Sequence, residues 1–414
     1  MKYFFILGKN PTLSIAELET FFSCSKEIKI LSRNVASENV LILEIDKKIE
    51  AKKLINKLGG VIKIGKIEAE GYMNIQDILK KIKLMLTNIS DGKFKFGISY
   101  YGQSKFNIKP LAMEIKKYLK ERGISSRWVT SREPTLSSVV VEQNKLVNKG
   151  IEIIIIQKQS EGENRDSRLQ IGHTLAVQPF KELSFRDYGR PARDDRSGML
   201  PPKLAMIMIN LAMAKSSLLL YKGEDRRGSI LDPFCGSGTI LTEALLLGYK
   251  NIIGSDISQK AIENTDENIK WLKSKYEISN IKHQLHKTSV QKLNKIIKPN
   301  SIDAIITEPY LGPQRGKINI NIIIPELENL YSQAFIEFKK ILKPTGRIVI
   351  VLPVYKIKSN TYYLKPNTQE LKIINPIPEK FYKNANIQLT KRNTIIYGRE
   401  NQKVWREIVC LTKN

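Results

Sequence analysis

Between residues 204 and 354 short apolar runs alternate with helix-spaced segments, and this alternation constrains the fold more than any other feature of the chain. Runs at 229–234, 251–257, 301–306 and 347–354 read as strands, with a further candidate at 281–286. Segments 204–219, 239–247, 259–276 and 326–342 read as helices. Strands joined through helices run parallel with right-handed crossovers, so this region predicts an α/β, doubly wound sheet. Two apolar runs near the end, 394–400 and 404–411, predict a hairpin that closes one edge.

Where the first of these strands turns into the first helix, the chain reads Leu231-Asp232-Pro233-Phe234-Cys235-Gly236-Ser237-Gly238-Thr239. Open α/β sheets bind ligands at that carboxyl edge. Two glycines let the backbone approach a ligand closely, and the helix start offers unpaired N–H groups. Asp256 follows Gly236 by 20 residues, at the end of the next strand, placed to accept both hydroxyls of a ribose. A dinucleotide site shares this geometry, but Gly236-Ser237-Gly238-Thr239-Ile240-Leu241 lacks the third glycine of that fingerprint. Asp232 would repel a pyrophosphate. It suits a cofactor with a cationic amino-acid end, which describes S-adenosylmethionine with its ammonium and sulfonium charges. The run resembles the first motif of the amino-methyltransferases, which methylate exocyclic amines of nucleobases. That resemblance implies that Phe234 and the loop of Pro233, Gly236 and Gly238 hold the methionine part. It assigns the ribose to Asp256, places Ile257 in the same cradle, and puts Ser289 where an acidic residue usually meets adenine.

The fourth strand ends in Ala304-Ile305-Ile306-Thr307-Glu308-Pro309-Tyr310-Leu311-Gly312. Amino-methyltransferases carry here Asp, Asn or Ser, then Pro or an apolar residue, then Pro, then an aromatic. An exocyclic amine is a poor nucleophile because its lone pair is delocalised into the ring. A side-chain acceptor and a backbone carbonyl that grip its two hydrogens favour a pyramidal nitrogen, so catalysis rests on positioning and electrostatics. Pro309 and Tyr310 match the pattern, and Tyr310 is expected to stack on a base splayed out of its helix. Thr307 stands in the acceptor position and Glu308 in the first-proline slot. We expect Glu308 to be the acceptor with Thr307 assisting; a degenerate, inactive site is the alternative.

Residues 186–205, from Arg186 through Leu200-Pro201 to Ala205, combine dense mixed charge with Gly and Pro-Pro and read as a loop near an active site. The segment resembles the one before the first motif in tRNA guanine N2-methyltransferases that act near position 10, in which the Leu200-Pro201 step would help to form the cofactor pocket. Residues 3–18 resemble the opening of that family, and about 70–160 resemble its THUMP domain, an RNA-binding module for the tRNA acceptor end. The expected organisation is a ferredoxin-like domain over 1–65, a THUMP-like domain over 66–165, a linker and active-site loop over 166–200, and a Rossmann-like methyltransferase domain over 201–414. Locally, 2–7 and 40–45 read as strands, with a helix between them that Ser14 and Glu17 cap, and 47–58 as a second helix. Farther on, 75–86 and 110–122 read as helices, 93–101, 139–141 and 151–156 as strands, and 157–167 as a loop.

The chain of 414 residues carries 68 Lys and Arg against 41 Asp and Glu, a net charge of +27. Genome composition could produce a uniform excess, but this one is uneven. Residues 1–50 hold 7 basic and 7 acidic side chains, 51–150 hold 20 and 8, 151–200 hold 8 and 8, 201–350 hold 21 and 14, and 351–414 hold 12 and 4. A strongly basic module between neutral segments points to nucleic acid. Candidate RNA contacts are Arg122, Arg127, Trp128 and Arg132, then Arg190 and Arg193, then Arg315 and Lys317 in a basic loop beyond the catalytic segment. For Trp128, stacking on a base and burial in the core are both open, as are closure and simple solvation for the loop. Three scattered cysteines argue against a disulfide framework, and His283 with His286 lacks a third ligand, so no metal is expected. No run reaches the ~18 uncharged apolar residues of a membrane helix, and the opening Met1-Lys2-Tyr3-Phe4 reads as strand, not signal peptide, so a cytoplasmic protein is expected. The reading is an S-adenosylmethionine-dependent tRNA guanine-N2-methyltransferase, with or without a partner subunit. Action on ribosomal RNA or DNA, and a non-catalytic RNA-binding protein with a relict cofactor site, are its rivals.

Overall fold

A computed structural model describes residues 1–25, 28–89, 93–157, 168–193, 199–212, 226–314, 316 and 318–413, with 226 and 227 as backbone only. The chain divides into two units, one of Met1–Pro11 with Ile28–Phe180 and one of Thr12–Glu27 with Lys181–Asn414.

The first unit is built on one sheet of strands β1 (Lys2–Leu7), β2 (Ile30–Ser37), β3 (Val40–Ile45), β4 (Val61–Tyr72), β5 (Lys93–Tyr101), β6 (Ser125–Val129), β7 (Gly150–Gln157) and β8 (Arg168–Val177), in the order β2-β3-β1-β4-β8-β7-β5-β6. β1 to β4 pair antiparallel in the order of a split βαβ arrangement, whereas β5 runs parallel to both β6 and β7. The helices up to this point are α1 (Pro11–Ser23), α2 (Ala51–Ile55), α3 (Ile75–Met85), α4 (Ile108–Glu121) and α5 (Ser138–Gln143), followed by α6 (Phe180–Tyr188). The apolar faces of α3 and α4 close over β5 and β7 through Ile78, Ile82, Ile115, Leu119, Phe96 and Ile153.

Several expectations change here. β4 runs straight through the expected boundary at 65/66, so one sheet serves both predicted N-terminal domains. Residues 166–200 are not a linker over their whole length, because they contain β8, an interior strand between β4 and β7, and then α6. Gln170 and Thr174 are buried in β8 together with Leu169 and Ile171, and this polar content hides the strand from a hydropathy reading. Val139-Val140-Val141 lies in helix α5, not in a strand: the Ser137 hydroxyl accepts from the Val140 N–H at 3.3 Å and starts the helix against local β-propensity. The 47–58 helix contracts to α2.

The second unit contains α7 (Pro202–Leu211) and then β9 (Arg226–Asp232), α8 (Thr239–Leu246), β10 (Tyr249–Asp256), α9 (Gln259–Lys275), β11 (Lys282–Lys287), β12 (Ile302–Thr307), α10 (Ile320–Ile341), β13 (Leu342–Ile357), β14 (Asn360–Tyr363), β15 (Lys372–Ile374), β16 (Ile395–Tyr397) and β17 (Val404–Thr412). Its sheet runs β11-β10-β9-β12-β13-β17-β15, with β14 beside β13 and β16 beside β17. β9 to β13 are parallel and β17 is antiparallel to β13. The doubly wound expectation is met, and β16 with β17 makes the expected hairpin. It does not close an edge, however, because β17 is inserted between β13 and β15. α10 begins at Ile320, six residues ahead of its expected start, where the Asn319 side chain accepts from the Asn321 N–H.

The chain winds outward from β9 to β11 and returns to β12 on the other side of β9. The strand order reverses there, and a crevice opens at the carboxyl ends. Helix α1 belongs to this second unit by its contacts. It starts at Pro11, so Ser14 and Glu17 lie inside the helix and do not form the expected cap. Glu17 is buried and accepts a hydrogen bond from Asn210 Nδ2 of α7 at 2.7 Å.

The core of the first unit contains a charged network. Lys63 Nζ donates to Glu152 Oε1 at 2.5 Å and to the Leu136 carbonyl at 2.6 Å, and Ser99 and Thr174 each donate to the same carboxylate at 2.6 Å. Truncating one member strands a buried charge. Lys63→Met is expected to lower unfolding free energy by ~3–5 kcal/mol in a denaturant titration, and Lys63→Met with Glu152→Leu to recover much of it.

Candidate active site

A cavity of about 790 Å³ lies at the carboxyl ends of β9, β10, β11 and β12. It is lined by Pro233, Phe234, Gly236 and Ser237 after β9, by Asp256 and Ile257 after β10, by Ser289 after β11, and by Glu308 to Leu311 after β12. The glycine loop adopts conformations that other residues resist: φ is +53° at Gly236 and +80° at Gly238. A Cβ at Gly236 would meet no atom within 4 Å, whereas one at Gly238 would come within 2.8 Å of Thr265 Cγ2. Helix α9 fixes the loop from behind: Thr265 Oγ1 donates to the Gly236 carbonyl and Asn268 Nδ2 to the Ser237 carbonyl, each at 2.8 Å.

Asp256 is held by backbone donors at both oxygens, Gly236 N at 3.1 Å and Ser258 N at 2.9 Å. Its remaining acceptor sites suit a vicinal diol. Ile257 beside it is 74% exposed, an apolar face offered at the cavity. Asp232 is only 2% exposed. Its Oδ1 accepts from Thr307 Oγ1 at 2.7 Å and from Phe234 N at 3.2 Å. Burial pushes its carboxyl up to about 7, and the charges of Asp256 and Glu308 add to the rise while the two hydrogen bonds oppose it. Asp232 lines a smaller cavity of about 80 Å³ with Leu200, Phe234, Gly236, Ser237 and Glu308. Pro201 lines neither cavity; it caps α7, and its carbonyl accepts from the Leu204 and Ala205 N–H groups. An acidic, open cradle whose loop of two left-handed glycines is hydrogen-bonded to α9 from behind fits the ribose and cationic amino-acid end of S-adenosylmethionine.

The loop after β12 corrects the sequence reading. Thr307 is the last residue of β12, fully buried, and its hydroxyl hydrogen is committed to Asp232. It lines neither cavity, whereas Glu308 lines both. The loop begins with Glu308, so the four residues are Glu308-Pro309-Tyr310-Leu311, all facing the large cavity. The departure is thus a glutamate at the first position and an aromatic one residue early. Tyr310 is 57% exposed and Leu311 is buried. Two hydroxyls fix the loop: Tyr331 donates to the Tyr310 carbonyl at 2.6 Å and Tyr355 to the Leu311 carbonyl at 2.7 Å. Burial raises the pKa of both phenols, which keeps them protonated as donors. Gly312 has φ +79°, and a Cβ there would approach Tyr355 Oη to 2.2 Å. Glu308 forms a salt bridge with Arg406 of β17, through Nε on Oε1 and through Nη2 on Oε2 at 3.3 Å. Arg406 also lines the large cavity. Sequence reasoning missed it, because it lies 98 residues beyond Glu308, and its one local signal is a pair of charges, Arg406-Glu407, within a largely apolar strand.

The remaining candidates divide. Arg193 is exposed, lies over the Tyr188 ring at 5.2 Å and lines the large cavity. Arg190 is only 5% exposed and its Nη1 donates to Thr239 Oγ1 at 2.5 Å, so it fixes the start of α8 and is not a surface phosphate contact. Arg122 donates to the carbonyls of Leu86 at 2.7 Å and Thr87 at 2.9 Å, where it completes the carboxyl end of α3 and is spent on structure. Trp128 is partly buried against the Phe96 cluster, which favours its packing role, while Arg127 and Arg132 are exposed. Arg315 and Lys317 lie outside the described residues. Among the described residues no group of three His, Cys, Asp or Glu is placed to hold a metal, and no helix is long and apolar enough to cross a membrane.

Residues 190–375 match the family described as RMKL-like, methyltransferase domain, and residues 70–268 match a DNA methylase family. The chain is similar to the tRNA (guanine(10)-N2)-dimethyltransferase of Methanothermobacter thermautotrophicus, 32% identical over 38% of this chain and 40% of that one. It therefore spans about two fifths of that relative's length, and 39% of the like-named Methanocaldococcus jannaschii protein, at 33% identity. A lower likeness, 23%, extends over 85% of this chain and 88% of the like-named Pyrococcus abyssi protein. In fold it is similar to TrmN from Thermus thermophilus, with a TM-score of 0.50 and 15% identity over the whole of both chains.

The raised carboxyl of Asp232 gives a pH signature. Between its ordinary value of 3.8 and about 7 the folded state keeps the Asp232 proton that the unfolded chain loses. Stability from this group is therefore present at low pH and lost as pH rises through about 7. In urea titrations the wild type is expected to lose stability relative to Asp232→Asn across pH 4–7, by ~1 kcal/mol per unit, with a constant difference on either side. A flat difference across this window contradicts the assignment.

Proposed function

We propose that this chain, whose residues 190–375 match a methyltransferase family, transfers methyl groups from S-adenosylmethionine to the exocyclic N2 amine of a guanosine in tRNA, near position 10. The observation that carries the reading is the placement of Glu308, Pro309 and Tyr310 in the same cavity as the glycine loop and Asp256. An amine acceptor and a nucleoside-binding carboxylate thereby share one pocket.

In this reading Asp256 accepts the ribose hydroxyls, Ile257 and Ser289 flank the adenine, and Phe234 with the Gly236–Gly238 loop holds the methionine end beside Asp232. Leu200 closes that end, next to Asp232 and Phe234. The bound cofactor supplies an electrophilic methyl group on its sulfonium. Glu308 accepts one hydrogen of the target amine and the adjoining loop carbonyl the other, and Tyr310 stacks on the base. The nitrogen lone pair is thereby directed out of the ring plane. S-Adenosylmethionine held by these residues would supply the methyl and leave as its neutral thioether, and the proton released from the amine would pass to solvent by way of the Glu308 carboxylate that already accepts it.

Support for tRNA comes from the activity for which the similar dimethyltransferases are named, one of them similar along most of this chain. The net charge of +12 over residues 51–150 supplies a means of holding a polyanion. Exposed Arg127, Arg132 and Arg193 are proposed phosphate contacts. The compartment that fits this substrate is the cytoplasm.

The test is direct. With labelled S-adenosylmethionine and unmodified transcripts of its own tRNAs, the protein is expected to yield N2-methylguanosine or its dimethyl form in the digested product. Methyladenosine, methylcytidine or a preference for DNA or ribosomal RNA overturns the reading. Asp256→Ala is expected to weaken cofactor binding at least about tenfold in equilibrium dialysis, the loss of a charge-assisted pair of hydrogen bonds.

A further inference from the structure

We infer that Tyr188, the last residue of α6, is the platform on which the nucleotide next to the target guanosine stacks, and that Arg193 joins this platform to the catalytic cavity. The inference rests on the proposed methyl transfer to a guanosine in tRNA. It names where the neighbouring nucleotide goes once the target base has left its helix.

A base that enters a pocket to react leaves the next base in the strand without a stacking partner on one side, and that loss is part of the cost of extrusion. An aromatic side chain just outside the pocket offsets it, whatever the neighbouring base, because every base has a π-face. Tyr310 serves the target base inside the cavity, so the second ring must lie beyond the mouth. Tyr188 is in that place. Arg193 lines the large cavity, and its guanidinium lies 5.2 Å from the centre of the Tyr188 ring, so one side chain reaches both. The tyrosine is 65% exposed even with the arginine over its ring.

The helix that carries Tyr188 is mounted without its help. Arg186 donates from Nε and Nη2 to the two oxygens of buried Glu243 in α8, at 2.8 and 3.0 Å. Leu183 is buried, the Phe185 ring stands 5.5 Å from that of Trp271 in α9, and Tyr276 Oη donates to Glu182 at 3.0 Å. A ring on a fixed helix loses little freedom when a base stacks on it.

The charge around the ring suits a polyanion. Asp187 beside it would repel phosphate, and burial raises its carboxyl while the charges of Arg190, Arg193 and Arg399 act against that rise. Three guanidinium groups thus act on one carboxylate. Arg193 and Arg399 are exposed, as is Lys260 of α9, which lines the same cavity as Arg193. Arg193 is placed for the phosphate between the two nucleotides, a contact that positions the strand without reading its sequence.

The experiment measures kcat/KM for tRNA, with the cofactor saturating, on the parent transcript and on two that carry an abasic nucleotide immediately 5′ or 3′ of the mapped methylated guanosine. Tyr188→Ala is expected to lower kcat/KM on the parent at least about tenfold, mostly through KM. Tyr188→Phe, which keeps the ring, is expected to recover most of that loss. One abasic transcript is expected to cost the wild type a similar factor but Tyr188→Ala less than about threefold, because the partner of the missing base is already gone. Cofactor affinity is expected to stay within about threefold in both variants. Losses that multiply on both abasic transcripts overturn the inference, as does full activity of Tyr188→Ala, and the proposed reaction survives either result. A parallel fall in cofactor affinity, or no recovery with Phe, marks Tyr188 as structural and overturns it too. A wild type that makes no N2-methylguanosine on the parent overturns both.

Discussion

Three carboxylates, Asp232, Asp256 and Glu308, converge where the strand order of the second unit reverses, and the structure around the site is arranged to hold them there. Charges of one sign in a buried crevice repel, and each is accommodated differently. Asp256 takes two backbone N–H groups. Glu308 takes the guanidinium of Arg406. Asp232 has only a hydroxyl and one N–H, and its carboxyl rises to about 7. An acidic pocket of this kind rejects phosphates and attracts a cationic cofactor. That follows from the electrostatics and does not depend on the glycine fingerprint.

The rest of the second unit serves the two loops that meet at this point. Thr265 and Asn268 of α9 hold the glycine loop by its carbonyls, and Arg190 fixes the first turn of α8. Tyr331 of α10 and Tyr355 of β13 hold the loop after β12 in the same way. The side chains that define the pocket thus sit on backbone fastened from two sides. Such preorganisation is what a reaction governed by positioning requires.

Much of this was legible in the sequence. Periodicity located every parallel strand of the second unit to within a few residues, because each is a short apolar run between helices, and the glycine loop announced the first turn. What was not legible depended on distant partners. β8 carries polar residues that are buried by neighbours on both sides, and Val139-Val140-Val141 became helical through the Ser137 cap. Thr307 looked like an acceptor until its hydroxyl was found turned inward to Asp232, 75 residues away. Arg190 and Arg122 carry charge that reads as an RNA contact, yet both are spent on bonds within the fold. Arg406 could not be linked to Glu308 from the sequence, since 98 residues separate them.

The central claim is that Glu308 is the amine acceptor of this site. The most direct test is single-turnover methyl transfer with cofactor and tRNA both saturating, comparing wild type with Glu308→Ala. Loss of one preorganised polar contact to the reacting group predicts a rate lower by ~10²–10³-fold, with both ligands still bound. An unchanged rate would contradict the account.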